Sequence, residues 1–496
     1  MPITPDLLLL IRQCPEREEI PRIEFELPEV DILYFYGLGH LNCEAWLGEH
    51  RHIVFLEDRL ARFKSLIPSD HPRIHYKWVS CWESVLEECV RTFPREKIEM
   101  MAVKKGPHFQ KIRLQLMRTS ILWHSVVSET ISSHLLYKNI IPNLAKIPHS
   151  FYVNAWKDRY KNIPAVICGA GPSLKKSVSE LQRLRDQAVV IGCGSALSAL
   201  SHLGIRPHLG MAIDPNAREY DCLSGCRFRD LPLLFGARLY PKVFELFEGP
   251  WGYIRSGSGS ALESYVEEAC GLTDPPLGCD LGREALSVTT LALSLAHFFG
   301  CNPIILAGVD LAYDRGAHYV EGVPVSVDSS QEKLLRRKNK QGDWVKTVTK
   351  WVMEQQTIDQ FAKTHPQTTW INVSGGLGFK SIPDQTLATL EFPPIDPDIE
   401  GVAMKATPDQ IQEVFHRLKL SLDKSLELIE LLQCVEGGKA VLYEYELEEE
   451  PAYQLLLKAP RWEFERLQAT APWNYLTEVS RTIRAELIAE CAHANA

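Results

Sequence analysis

One repeated pattern constrains the fold more than any other feature: a short apolar run that ends in glycine or an acidic residue and leads into helical spacing. It is clearest between Pro164 and Pro383. The predicted strands are Ala165–Cys168, Ala188–Ile191, Leu209–Ile213, Leu231–Phe235 and Pro303–Ala307. Short apolar strands that alternate with helices indicate a mostly parallel sheet covered on both faces. Ligands of such sheets bind beyond the carboxyl ends of the strands, which is where the glycines and acids lie.

A weaker form of the pattern opens the chain. An apolar strand, Asp31–Tyr36, runs into Gly37 and Gly39, and a second strand, His52–Leu56, ends on two acids. This order is typical of a Rossmann-like half, in which the turn approaches a ligand and the acid binds ribose hydroxyls. The full dinucleotide-binding fingerprint has three glycines and this segment has two. A nucleotide-like fold that binds nothing is therefore the alternative.

Length predicts two or three domains, and the pattern along the chain divides it into three. A chain of 496 residues exceeds the roughly 250–300 residues that one core supports. We predict a Rossmann-like domain over residues 1–125, a central α/β domain over residues 126–395 and a helical domain over residues 400–496. Thr407 and Pro408 are typical of a helix start, and Gly437 with Gly438 is predicted to end that helix.

Charge and cysteine usage exclude several classes of partner. The net charge of −9 is spread along the chain, which argues against nucleic acid. No apolar stretch reaches the roughly 18 residues of a membrane span, and the first residues do not resemble a signal peptide. The 13 cysteines are scattered, without a metal-ligand spacing. We therefore expect a cytoplasmic protein with reduced thiols and no bound metal.

Two glycine turns are candidate phosphate sites. Gly169, Gly171, Pro172 and Ser173 follow the first central strand, and Gly192, Gly194 and Ser195 follow the second. Glycines at a strand-to-helix turn let backbone N–H groups face an anion without hindrance from a Cβ atom. The third fingerprint glycine and a Walker lysine are both absent, so a tight turn without a ligand is also open.

Polar residues at later strand ends extend the candidate site. Asp214, Asn216 and Asp310 close apolar runs, where a carboxylate binds ribose, holds Mg²⁺ or caps a loop. The loop after Asp310 adds Tyr313 and His318, and an imidazole there is a candidate general base. Further along lie Lys346, Thr347, Gly375 and Gly376, which either bind ligand or form plain loops.

Taken in order, these motifs resemble the motility accessory factor (Maf) family of flagellin glycosyltransferases, which shares a domain with 6-hydroxymethylpterin diphosphokinases. The resemblance covers about 220 residues. It is carried by the motifs Gly169–Leu174, Ile213–Pro215, Gly308–Tyr313 with Gly316 and His318, Lys346–Thr347 and Asn372–Gly378.

The resemblance implies a sialyltransferase-like central domain and transfer of a nonulosonic acid from a CMP donor to Ser or Thr hydroxyls of a protein such as flagellin. The two glycine turns, Asp214, Asn216 and Tyr313 would bind the nucleotide, and His318 with Asp310 would be catalytic. The chain departs from the family at Ser374, where an acidic residue is usual, so a role for that carboxylate is not carried over.

Two alternatives follow from the same domain. One is pyrophosphoryl transfer from ATP to a hydroxymethylpterin, with Mg²⁺ held by carboxylates such as Asp214 and Asp310. The other is a nucleotide-binding relative that has lost its activity. No cofactor beyond the CMP-sugar donor is implied by the first function.

Overall fold

The computed structural model describes two compact units, residues 1–130 and 131–496. The described residues are 29–37, 47, 52–64, 71–93, 96–102, 105–132, 136–256, 261–281, 287–325, 334–397, 399, 401–467 and 472–493. The predicted turn glycine Gly39 and the first residues of the chain lie outside these ranges.

The first unit is a four-stranded parallel sheet with strand order β3-β2-β1-β4. Its elements are β1 (Ile32–Tyr36), β2 (His52–Glu57), α1 (Leu60–Lys64), β3 (Ile74–Trp78), α2 (Trp82–Thr92), β4 (Ile98–Ala102) and α3 (Pro107–Ser132). Along β1, Ile32 and Tyr34 enter one apolar cluster while Leu33 and Phe35 enter another. Because both faces are buried, the strand is apolar at every position. The predicted Rossmann-like half is confirmed.

The second unit contains an eight-stranded, entirely parallel sheet with order β14-β11-β6-β7-β8-β9-β10-β5. Its strands are β5 (Phe151–Tyr152), β6 (Ala165–Cys168), β7 (Val189–Cys193), β8 (Leu209–Ala212), β9 (Leu233–Phe235), β10 (Trp251–Tyr253), β11 (Ile304–Ala307) and β14 (Trp370–Asn372). The chain runs outward from β6 to β10 and then returns to the other side of β6 at β11. The strand order therefore reverses between β6 and β11, where doubly wound sheets bind ligands.

Helices cover both faces of this sheet. They are α4 (Tyr137–Leu144), α5 (Val178–Leu184), α6 (Ala196–His202), α7 (Ala217–Leu223), α8 (Ala261–Ala269), α9 (Val288–Phe298) and α10 (Thr349–Thr364). On one face, Ile167 of β6 shares a buried cluster with Leu291 of α9. On the other, Val166 shares a cluster with Leu181 of α5 and Leu200 of α6. The predicted α/β class with two consecutive parallel sheets is confirmed.

A small antiparallel hairpin follows β11. It consists of β12 (Leu335–Lys338) and β13 (Trp344–Thr347), joined by a turn in which Gly342 has φ 91°. An isolated antiparallel bridge joins Tyr313 to Lys346 of β13. The hairpin therefore lies directly beside the loop that carries His318.

The C-terminal part is helical, as predicted. Its helices are α11 (Pro408–Leu432), α12 (Gly438–Glu448), α13 (Lys458–Leu467) and α14 (Trp473–His493). Thr407 caps α11 through a reciprocal pair of hydrogen bonds with Gln410, confirming the predicted helix start. The predicted end was wrong, because α11 ends at Leu432 and Gly437, with φ 72°, instead precedes α12.

These C-terminal helices share one apolar cluster with the sheet: Phe415 of α11 and Leu487 of α14 lie in the same cluster as Ile140 of α4 and Phe235 of β9. The predicted boundary between residues 395 and 400 stays a prediction. Among the described helices, none is long and apolar enough to cross a membrane.

Candidate functional site

Three glycines bring the carboxyl ends of β6 and β11 into backbone contact. The Gly169 N–H donates to Ala307 O (2.8 Å) and the Gly171 N–H donates to Gly308 O (2.8 Å). A Cβ atom on Gly169 or Gly171 would lie 2.6 Å from Gly308 O. Gly308 itself has φ 66°, a conformation that side chains disfavour. The predicted glycine turn thus allows the ends of β6 and β11 to approach each other closely.

Asp310 ties this turn to a second glycine loop. Its carboxylate accepts hydrogen bonds from the Ser173 N–H (2.8 Å), the Ser173 hydroxyl and the Gly375 N–H (3.0 Å). The side chain is buried, and burial raises the pKa of Asp310 although the three donors oppose that shift. Ser173 therefore bonds Asp310 and does not cap a helix.

A cavity of about 180 Å³ opens beyond these strand ends. Its walls come from the ends of β6, β7 and β11, the start of α9 and the first turns of α10. The lining residues are Gly169, Ala170, Gly171, Cys193, Ser195, Ser287, Val288, Thr289, Gly308, Val309, Asp310, Leu311, Ala312, His318, Tyr319, Lys350, Trp351 and Glu354. The site lies where the reversal of strand order predicts it.

Aromatic rings surround His318. Its ring centroid lies 4.1 Å from that of Tyr319, 4.6 Å from that of Trp351 and 5.6 Å from that of Tyr313. Tyr313 is buried and is not among the lining residues. Rings on three sides restrict the imidazole to a narrow range of orientations, as a proton-transferring group requires.

The wall opposite the glycines comes from α9 and α10. Ser287, the N-cap of α9, donates its hydroxyl hydrogen to Glu354 and accepts from the Thr290 N–H. Glu354 is buried, and that burial raises its pKa. Lys350 lies one turn earlier on α10, so this wall presents an ammonium group beside the acid.

A second layer supports the loops from outside the cavity. Gly376 has φ 67°, and a Cβ atom there would overlap the backbone of Asp310. Ser374, which stands where the family has an acid, accepts from the Val309 N–H (2.9 Å) and donates to Leu306 O (3.1 Å). Thr347 is buried and donates to Leu311 O (2.7 Å). Of these residues, Gly376 and Thr347 were predicted as site residues; with the exposed Lys346 they support the cavity walls and do not line them.

Other predicted nucleotide-binding residues also lie outside the lining set. Asp214 accepts from the N–H (2.9 Å) and the side-chain amide (2.7 Å) of Asn216, forming a turn after β8. Gly192 makes room for Leu197, because a Cβ atom there would lie 2.5 Å from Leu197 Cδ2. Gly194 has φ 51°. Of the predicted set, the cavity brings together five residues: Gly169, Gly171, Ser195, Asp310 and His318.

The sequence reasoning missed Ser287, Lys350, Trp351 and Glu354. A signal was available, since Ser287 precedes an apolar helix and the α10 residues follow the Lys346–Thr347 motif. Spacing alone does not show that both helices begin at the sheet edge where β6 and β11 end. That proximity depends on the strand order.

Chemically, the cavity combines a restrained imidazole, an ammonium group, two buried carboxyl groups and a glycine-lined strand end. At the glycine end, the Gly169 and Gly171 N–H groups already donate to Ala307 and Gly308, and the Asp310 carboxylate lies beside Gly171. A phosphate bound at that end would therefore depend on the Ser195 hydroxyl and the Lys350 ammonium group. Within the described residues, no group of three or more His, Cys, Asp or Glu side chains is placed to hold a metal ion.

Comparisons with known proteins agree with the fold. The family model described as 6-hydroxymethylpterin diphosphokinase MptE-like matches residues 138–316. Among solved structures, the Maf glycosyltransferase from Magnetospirillum magneticum AMB-1 is similar, with a TM-score of 0.50 and 17% sequence identity over 94% of this chain and 78% of that chain. Comparison with curated proteins gave no match. The predicted resemblance is confirmed: the chain carries an MptE-like region within a fold similar to that of a Maf glycosyltransferase.

Proposed function

We propose that the protein is a glycosyltransferase that moves a nonulosonic acid from a CMP donor to Ser or Thr hydroxyls of a polypeptide such as flagellin. The observation that carries the proposal is the cavity at the reversal of strand order, with a glycine end for phosphate and His318 in its wall. The fold similarity to a Maf glycosyltransferase supports it.

In the proposed reaction, His318 accepts the proton of the acceptor hydroxyl. The hydroxyl oxygen attacks the anomeric carbon of the sugar and forms the new C–O bond. The bond between that carbon and the phosphate oxygen of CMP breaks, and CMP leaves with the electron pair. The proton ends on the imidazole and is released to solvent.

The other lining residues hold the donor. The backbone at Gly169 and Gly171, whose N–H groups already donate to Ala307 and Gly308, would pack against CMP, and the hydroxyl of Ser195 would face its phosphate or ribose. Lys350 is the cation placed to neutralise charge that develops on the leaving phosphate. We assign Asp310 a positioning role, because its oxygen atoms already accept three hydrogen bonds from Ser173 and Gly375.

The name of the matching family model favours a second candidate, pyrophosphoryl transfer from ATP to a hydroxymethylpterin. That reaction requires Mg²⁺ held by carboxylates. Asp310 lines the cavity but Asp214 does not, and both carboxylates accept hydrogen bonds from neighbouring protein groups. The predicted pair therefore does not form a shared metal site in this arrangement, which favours sugar transfer.

Thermal stability with CMP, CDP, ATP and GTP, each with and without Mg²⁺, tests the choice, because a ligand that binds the native state raises the unfolding temperature. We expect stabilisation by CMP without metal, and CMP release when CMP-nonulosonates and a hydroxyl acceptor are added. Stabilisation by ATP only with Mg²⁺ would support the diphosphokinase. CMP binding with no CMP release from any nonulosonate donor would support an inactive relative.

A further inference from the structure

The hairpin β12–β13 is fixed at both ends, and at one end it is bonded to the loop that carries His318. The Tyr313 N–H donates to Lys346 O (2.9 Å), and Thr347 donates to Leu311 O (2.7 Å). Next to the turn, the Lys340 ammonium donates to Ile382 O (2.8 Å) and to Asp384 (2.9 Å). The exposed side of the hairpin is therefore held in a constant position beside the proposed site.

The two faces of the hairpin differ sharply. Leu335 and Val345 pack on an apolar cluster formed by Ala312, Val352 and Leu377. The opposite face, here called the basic face, consists of Arg336, Lys338, Trp344 and Lys346. All four side chains are exposed, Trp344 by 67%, and the Lys338 ammonium lies 5.4 Å from the centroid of the Trp344 ring.

The basic face works against the stability of the hairpin. Arg336 stands directly opposite Lys346 in the strand register, and like charges in that relation are destabilising. Trp344 is 67% exposed, so it adds little burial beyond its contact with the Lys338 ammonium. The basic face is positively charged, whereas the whole chain carries a net charge of −9. Lysines on an edge strand do prevent unwanted strand pairing, but that role does not require an exposed Trp344.

We propose that the basic face binds an acidic, extended segment of the polypeptide acceptor, which places a nearby hydroxyl at the cavity. This inference rests on the proposed function for the identity of the partner. Alternate residues of an extended chain are about 7 Å apart on one side, which is also the spacing of Arg336 and Lys338. Within the described residues, β12 has no strand neighbour on its outer edge, which is the side on which an extended peptide pairs in strand addition.

Charge and apolar area favour a polypeptide over other anionic partners. Surface binding to a membrane needs a large apolar face, and Trp344 is the one apolar side chain among the four residues of the basic face. Nucleic acid is disfavoured by the net negative charge of the chain. A short acidic peptide has enough charge to pair with the three cations of the basic face, Arg336, Lys338 and Lys346. It does not need a larger positive surface.

Fluorescence anisotropy of labelled peptides with the full-length chain tests the proposal. The probe is a peptide of alternating Glu and Thr, compared with peptides of alternating Gln and Thr and of alternating Lys and Thr. The test variant is R336E/K338E, which lies outside the proposed catalytic and donor-binding residues. Its matched control is K405E/K439E, which makes the same change in net charge at exposed positions elsewhere.

We expect the Glu-Thr peptide to bind the wild type and K405E/K439E more tightly than the other peptides do, and to bind more weakly as salt rises. R336E/K338E should lose at least about tenfold in affinity, since attractive pairs become repulsive ones. CMP stabilisation, measured on the same samples, shows that the variant is folded and reports on the proposed function separately.

Equal binding of the Glu-Thr peptide by R336E/K338E and wild type would overturn the proposal. So would binding of phosphatidylserine-containing vesicles through the same residues in the absence of peptide binding, because the face would then be a lipid surface. Failure of CMP stabilisation with intact, charge-dependent peptide binding would count against the proposed reaction and leave the basic face as a site for acidic polypeptide.

Discussion

His318 lies among three aromatic rings in the cavity wall, and the proposed reaction gives it the proton of the acceptor hydroxyl. H318A should therefore lower the rate of CMP release by about 100-fold or more, since general base catalysis contributes on that order. CMP should still raise the unfolding temperature of the variant. H416A, at an exposed position on α11, is the matched control and should keep the wild-type rate. An unchanged rate in H318A would remove the imidazole from the reaction.

Gly171 has no room for a side chain. A Cβ atom there would lie 2.6 Å from both Gly308 O and Asp310 Cγ. G171A should therefore destabilise the protein by about 1–3 kcal/mol, as overpacking does, and abolish stabilisation by CMP. The control is G438A, where nothing lies within 4 Å of the added atom. If G171A kept wild-type CMP stabilisation, the glycine end of the cavity would not be the phosphate site.

At the scale of single residues, the sequence predicted Gly169, Gly171 and Asp310, because each follows an apolar run at a strand end, and His318, because it lies in the loop after Asp310. It did not predict Lys350 or Glu354. Those residues line the cavity because α10 lies beside the ends of β6 and β11. The position of α10 depends on contacts between residues that are distant in sequence. For the same reason, Asp214 has the expected sequence context and still lies outside the cavity lining.

The pair formed by β10 and α8 contains a buried acid cluster that makes stability depend on pH. Tyr253 donates to Glu263 (3.2 Å) and to Glu267 (2.7 Å), and Arg255 donates to Glu267 (3.0 Å). Burial, with the charge of Glu267, raises the pKa of Glu263 from 4.5 to about 8. Between these values the folded state binds more protons than the unfolded state, so the free energy of unfolding falls as pH rises.

E263Q removes this titration and keeps an oxygen for Tyr253. We expect the variant to be more stable than wild type at about pH 8 and close to wild type at about pH 5, as measured by unfolding temperature across that range. E245Q, at an exposed position, should follow the wild-type pH profile. Parallel profiles for wild type and E263Q would show that Glu263 does not control the pH dependence.

Elements that are buried on both faces were the easiest to predict. β6, β7 and β11 are apolar at every position, so their bounds differ from prediction by a few residues at most. The end of α11 was predicted too late because Gly437 was assigned to the end of one helix, while it precedes the next one. The hairpin was not predicted as strands, since Arg336 and Lys338 give its first strand a charged appearance.

At the scale of the whole chain, the two units have separate sheets and separate apolar clusters. We expect calorimetry to resolve two transitions, of which CMP raises only the one from residues 131–496. L33A, in the buried β1 strand, assigns the other transition by lowering it. A shift of both transitions by CMP would mean that the nucleotide is bound by both units, and a single transition would mean that the units unfold together.

The edge of the large sheet at β5 is closed by the segment that precedes α11. The Tyr152 N–H donates to Val402 O (2.8 Å), and Phe151 pairs with Ala403 in an antiparallel bridge. The segment that precedes β6 and the segment that follows β14 thus meet along this edge of the sheet. A fragment trimmed to the matched region, ending before residue 401, would leave β5 as a bare template for pairing with a second fragment. Any shorter version of this protein made for crystallisation or screening therefore has to retain residues 401–403 together with α11 and α14, whose apolar side chains share a cluster with α4 and β9.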